Sequence, residues 1–143
     1  MKQSKVQITM QSTQPELSDE TMETVYIGHY KQLAGKHIIT YDEFFEEEGT
    51  SPSKSTNLMK IDENSVQITK KGAITTKMQF EKGKKHLDMY QTPYGNFELA
   101  IQTEQLSIQI TGQTIEAEIS YYLSLNGAAV SKCNIHIEIN GIK

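Results

Sequence analysis

The sequence predicts an all-β domain whose strands close into an antiparallel barrel of about 8–10 strands. Three observations predict it. Apolar and polar residues alternate with period two through most of the 143 residues. Glycine, proline, asparagine and aspartate interrupt that alternation at short intervals. No segment of useful length carries the three- and four-residue apolar spacing of a helix face. Many short strands in one chain of this size form a sandwich or a barrel, and closure removes exposed strand edges, which favours the barrel. With no linker, internal repeat or low-complexity tract, residues 1–143 read as a single domain.

The elements follow in order. Val6, Ile8 and Met10 alternate with polar residues, and residues 11–19, with Pro15, read as a loop. Met22 to Leu33 is a long strand, turned by Ala34-Gly35-Lys36 into His37 to Phe45. Glu46 to Ser53 is acidic and turn-rich. Thr56 to Ile61 and Ser65 to Lys70 flank the turn Asp62-Glu63-Asn64, and Lys71-Gly72 turns the chain again. Ala73 to Glu81 and Lys85 to Thr92 flank Lys82-Gly83-Lys84, and Thr92-Pro93-Tyr94-Gly95 is a β-turn. Phe97, Leu99 and Ile101 share a face. Leu106, Ile108 and Ile110 share another, after a polar break at Thr103-Glu104-Gln105.

The last two strands are the clearest, through Ile115 to Leu125 and Cys133 to Ile139. Asn126-Gly127 between them is a hairpin signal. A two-residue turn there would pair odd positions with even ones and set Ile119 beside Asn134, because a one-residue slip flips every side chain. The expectation is an odd-length loop with Gly127 left-handed, or a bulge near Val130. Inward faces are expected from Val25/Ile27, Met78/Phe80, Leu87/Met89 and Ile119/Tyr121. Over 85–92 the signals conflict: Leu87 and Met89 argue for one inward face, Tyr90 for the other.

Composition narrows the function classes. The net charge of −4 favours solubility and argues against nucleic acid, which needs a basic surface. All 14 basic residues are lysine, so no guanidinium fork can grip phosphate or carboxylate bidentately. The one cysteine, Cys133, forms no intrachain disulfide. No apolar run near the start suits a signal peptide, and none reaches the roughly 18 residues of a membrane helix. The reading is a protein of the reducing cytoplasm with no membrane partner.

Residues 74–95, ITTKMQFEKGKKHLDMYQTPYG, resemble the hallmark segment of the YwiB-like family of uncharacterised bacterial proteins. Gly28-His29-Tyr30, Ile39-Thr40-Tyr41 and Asn126-Gly127 followed by Ser131-Lys132 agree with it, so the resemblance spans nearly the whole chain. It implies a calycin-like barrel, the architecture of lipocalins, and brings no activity.

No motif carries catalytic chemistry: there is no nucleophile elbow, phosphate loop or dinucleotide glycine pattern. The lysine-rich turn with Lys82, Lys84, Lys85 and His86 can receive an anionic head group, with Tyr90 and Tyr94 flanking it. The plainer account is a solvated hairpin whose charges oppose edge pairing. Six of the lysines lie between Lys70 and Lys85 and five acids between Asp42 and Glu48, so the two segments can face each other. His29, His37, His86 and His136 lack zinc-ligand spacing, although His29 and His37 flank one turn. Glu116 and Glu118 are what an exposed strand face gives by default. Cys133 belongs to an apolar row with Ile135 and Ile137 and reads as core.

The reading that follows is a non-enzymatic barrel that binds a small, partly apolar molecule, an acid included, through Lys82, Lys85, His86, Tyr90 and Tyr94, without metal or cofactor. The alternative is a filled barrel that acts as an interaction module or homodimer, with Phe44-Phe45 or Tyr121-Tyr122 turning one ring outward.

Overall fold

Ten strands form one antiparallel sheet in a computed structural model that describes residues 4–14, 20–45, 49, 53–128 and 131–141. They are β1 (Ser4–Thr13), β2 (Met22–Leu33), β3 (Lys36–Phe45), β4 (Ser53–Ile61), β5 (Ser65–Gly72), β6 (Thr76–Glu81), β7 (Lys85–Thr92), β8 (Gly95–Thr111), β9 (Thr114–Leu125) and β10 (Ser131–Gly141). The order across the sheet is β6-β5-β4-β3-β2-β1-β10-β9-β8-β7. Every sheet neighbour but one is also a chain neighbour; β1 and β10 join the two ends of the chain. β6 and β7 bring the sheet's edges together and make a nearly closed barrel. Among the described residues there is no helix, hence none long and apolar enough to cross a membrane.

Several strands outrun their sequence signals. β1 continues through Gln11, Ser12 and Thr13, which read as loop, because β10 pairs with it as far as Thr13↔Asn134. β4 takes in Ser53 to Ser55, and β5 takes in Lys71 and Gly72. The two apolar runs of β8 are one strand. Its partner shifts register between Thr103 and Gln105, and this bulge changes the parity so that Leu99-Ile101 and Leu106-Ile108 both meet the core.

The β9–β10 turn answers the parity argument. Ser131 pairs with Leu123 and Ile135 with Ile119, an odd loop, and Gly127 has φ of +70°. Val130 lies outside the described residues.

The barrel interior differs along its axis. Its lower end is where the short turns at 34–35, 62–64, 82–84 and 112–113 lie. There Val6, Ile8, Tyr30, Ile39, Met59, Ile61, Val66, Phe80, Ile101, Ile115, Ile137 and Ile139 fill the lumen and are all but inaccessible to solvent. Inward rows from all ten strands can interdigitate at this diameter, so the core is solid.

Two expected inward faces are reversed. Val25 and Ile27 point outward, each 51% exposed, because Tyr26, Gly28 and Tyr30 supply the inward row of β2. Leu87 and Met89 also point outward, at 57% and 52%. The inward row of β7 is His86, Asp88 and Tyr90, whose partners Ile101, Leu99 and Phe97 lie on the core side of β8. Phe80 and Ile119/Tyr121 are core as expected, with Met78 packed against it.

Candidate functional site

At the upper end of the barrel the inward rows change character. β3 ends its row His37-Ile39-Tyr41 with Glu43, and β5 ends Val66-Ile68 with Lys70. β4 follows Ile61 and Met59 with Asn57 and Ser55, both wholly buried. These side chains form one connected network. Lys70 Nζ lies 3.0 Å from Glu43 Oε1, and Asn57 Nδ2 donates to the same oxygen at 3.1 Å. Tyr26 Oη donates to Glu43 Oε2 at 3.2 Å, and Ser55 Oγ to Asn57 Oδ1 at 3.0 Å.

Burial pushes the Glu43 carboxyl up, but Lys70, Asn57 and Tyr26 outweigh it and hold Glu43 below its ordinary range. The phenols move the other way. Burial, with Glu43 adding its charge, pushes Tyr26 up to about 12. Burial raises Tyr41 further, and it also raises Tyr90, where Glu43 again contributes. The network is therefore an internal ion pair ringed by neutral phenols.

Its position explains its presence. β2 and β3 pair only from Gly28↔Tyr41 to Leu33↔Lys36, so 22–27 and 42–45 lie beyond the ladder. Gly28 marks the parting point. A Cβ there would collide with the Thr40 carbonyl and crowd Tyr41. Above it, the Tyr26–Glu43 bond and the Tyr26–Tyr41 ring contact, 4.8 Å between centroids, take over from backbone hydrogen bonds. On the outside the split forms an open groove of about 520 Å³, lined by Val25, Ile27 and Phe44 with Tyr26 and Tyr41 beneath.

Across the lumen, the mouth between β1, β9 and β10 holds a second concavity of about 330 Å³. Tyr121, Leu123, Cys133 and Ile135 make its apolar wall, with Ser12, Gln14, Glu20 and Met22 around them. Cys133 is 4% exposed and accepts a long hydrogen bond from Gln14 Nε2 at 3.6 Å. Burial, then Cys133, raises the Tyr121 phenol, so it too stays neutral. Tyr121 meets Phe80 edge to face at 4.9 Å, where the solid lower core ends.

The five residues expected to form the site do not come together. Lys82, Lys85 and His86 lie at the lower end, where Glu81 contacts Lys84 and His86, each at 3.3 Å. Tyr90 points into the upper lumen, five residues along β7 from Lys85, roughly 17 Å at strand rise. Tyr94, 79% exposed, lies in the upper turn.

The histidines are also dispersed. His37 faces inward, Nδ1 2.6 Å from Tyr30 Oη, and burial lowers its pKa. His29 is exposed on the opposite face of the hairpin, so the two do not meet. No group of three potential metal ligands occurs among the described residues. Of the acidic and lysine-rich segments, Glu43 and Lys70 meet, the Lys82–Lys85 turn lies at the opposite end, and Glu46, Glu47 and Glu48 lie outside the described residues. Parity could have found this pair, since Glu43 and Lys70 each stand where the alternation calls for an apolar inward residue.

An antiparallel ten-stranded barrel, filled below and polar above, is thus the class of protein that fold and site define. Residues 6–137 match the family described as Domain of unknown function (DUF1934), and the chain belongs to that family. The fold is similar to the crystal structure of the ywiB protein from Bacillus subtilis, with a TM-score of 0.79 and 18% identity over 99% of this chain and 94% of that one. No curated protein matches the chain.

Proposed function

We propose that this barrel binds a small, partly apolar molecule at its upper mouth. One observation carries the reading: the lumen that is solid below gives way above to a concavity of about 330 Å³ with an apolar wall. That volume is at the lower end of the range for small-molecule sites, and the mouth of a barrel is a common place for one. Tyr121, Leu123, Cys133 and Ile135 would hold the apolar body. The neutral phenol of Tyr121 and the amide of Gln14 would offer hydrogen bonds. The buried, disulfide-free Cys133 suits a reducing compartment, and we place the protein in the cytoplasm.

Native mass spectrometry of protein isolated without denaturation tests this. A reproducible extra mass, lost on denaturation and lost in Leu123→Trp, is the expected result. A bare chain mass in the parent protein would overturn it.

A second reading has its own observation. Phe44, 68% exposed, stands beside Val25 and Ile27 along the open groove between β2 and β3. A cluster of this kind suits a contact surface for another protein chain. A concentration-dependent dimer that Phe44→Ser dissolves would favour it.

A further inference from the structure

The split between β2 and β3 leaves two strand edges facing each other without a ladder. We infer that it receives an extended peptide segment of another protein, added as a strand beside β2; this rests on the second reading above and names the kind of chain that meets the groove. Residues 22–27 pair with β1 on one side, from Met22↔Ser12 to Ile27↔Gln7, and 42–45 pair with β4, from Asp42↔Thr56 to Phe45↔Ser53. On their facing sides neither segment has a ladder partner among the described residues. Every second residue of such an edge turns its N–H and C=O toward the gap, a template for one more strand.

The barrel's other seam is guarded. Between β6 and β7, Thr75 and Gln91 exchange both backbone hydrogen bonds, at 3.0 and 2.9 Å. Thr76 Oγ1 donates to the Met89 carbonyl at 2.9 Å, Gln79 Nε2 donates to Asp88 at 3.0 Å, and each strand carries a lysine, Lys77 and Lys85. The β2–β3 split has no such cover. Residues 22–27 and 42–45 contain neither lysine nor proline and are mostly Thr, Val, Ile, Tyr and Phe, which favour strands. Of their carboxylates, Glu43 is bound inward to Lys70, and Glu23 and Asp42 accept hydrogen bonds from Gln11 and Thr56.

Geometry selects the occupant. The groove is walled by β2 on one side and β3 on the other, with Tyr26 and Tyr41 as its floor. The face of a folded sheet or helix cannot reach backbone edges that lie between two walls, whereas a single extended segment can. It would continue, above Gly28, the ladder that β3 makes with β2 below it. Side chains of an added strand alternate, so one row meets Val25, Ile27 and Phe44 on the outer face and the other lies over the two phenol rings. The chemistry is therefore an extended, proline-free segment with apolar residues at every second position and small residues between them.

Selection of a random peptide library, displayed on phage, against the intact chain tests the inference. The expected product is a set of peptides that alternate apolar residues and no longer bind Phe44→Ser, a change at an exposed position outside the core. The tightest of them is then synthesised with alternate amides N-methylated along one edge or along the other, which removes backbone donors and keeps every side chain. Fluorescence anisotropy should show binding weakened about tenfold or more in at least one of the two forms, as the loss of several backbone hydrogen bonds requires. Binding retained by both methylated forms would overturn strand addition and leave the contact surface standing. Enrichment of no peptide that needs Phe44 would also overturn the inference, and the dimer measurement on Phe44→Ser would then decide the second reading on its own.

Discussion

The two ends of this barrel share the same ten strands but stabilise their interiors differently. Below, packing of apolar side chains is continuous from Val6 and Ile39 through Phe80 to Ile137, each 1% exposed or less. Above, between β2 and β3, a backbone ladder is missing and side chains replace it: Tyr26, Glu43, Asn57 and Lys70. Dispersion and burial sum over many contacts and tolerate no gap. A hydrogen-bonded ion pair is directional, leaves space beside it, and depends on protonation. The lower end is therefore packed solid, and the upper end is where the proposed ligand would sit.

The largest expected effect lies below. Phe80→Ala removes a fully buried ring that touches Tyr121 and sits opposite Val66. It should cost about 3–5 kcal/mol in urea unfolding. A cost of about 1 kcal/mol would mean that the lower core collapses easily, and the contrast with the upper end would fail.

An intermediate effect lies in the network. Lys70→Met leaves Glu43 half-buried without its counter-ion, with side-chain exposures of 21% and 18% in the parent pair. That exposure tempers the penalty of a fully buried pair, so about 1–3 kcal/mol is expected at pH 7. Adding Glu43→Leu should restore most of it, since removing both charges is far less costly than removing one.

The pH dependence has a definite sign. Glu43 titrates below its unfolded value of about 4.3, so its contribution is present above that pH and is lost as pH falls through the folded value. Glu43→Gln should flatten the loss of stability between about pH 5 and the folded value. An unchanged acid limb would show that the pair contributes nothing.

The same contrast explains what the sequence could reveal. The solid half was legible because period-two alternation in β1, β9 and β10 is a direct consequence of one buried face. The β9–β10 parity followed from matching apolar rows alone. β2 and β7 were misread because each carries apolar residues on both faces. Val25/Ile27 oppose Tyr26/Tyr30, and Leu87/Met89 oppose Tyr90; hydropathy does not rank a tyrosine-rich row above an aliphatic one. The choice is made by the neighbouring strand: for β7, Phe97 and Ile101 of β8 lie directly across from Tyr90 and His86.

The site was harder for a related reason. Lys82, Lys85 and His86 stood out by their clustering in sequence, whereas Glu43 and Lys70, 27 residues apart, meet only through the β3–β4–β5 register. Charge density along a chain marks exposed turns. A lone charge in an inward row marks an interior network, and that is the pattern to seek in related barrels.

The smallest expected effect is the most informative about the mouth. Leu123 packs against the core from the wall of the upper concavity and is only partly buried. Leu→Ala in a closed core costs about 2–5 kcal/mol, and much of that is the cavity left behind. At Leu123 the space already exists, so the deletion enlarges an opening rather than creating a void. The cost should stay below about 1 kcal/mol, read as a small shift of the urea midpoint with unchanged slope. A loss comparable to that of Phe80→Ala would show that the mouth is packed like the lower end. The concavity would then be a surface dimple, and the difference between the two ends would be one of polarity alone.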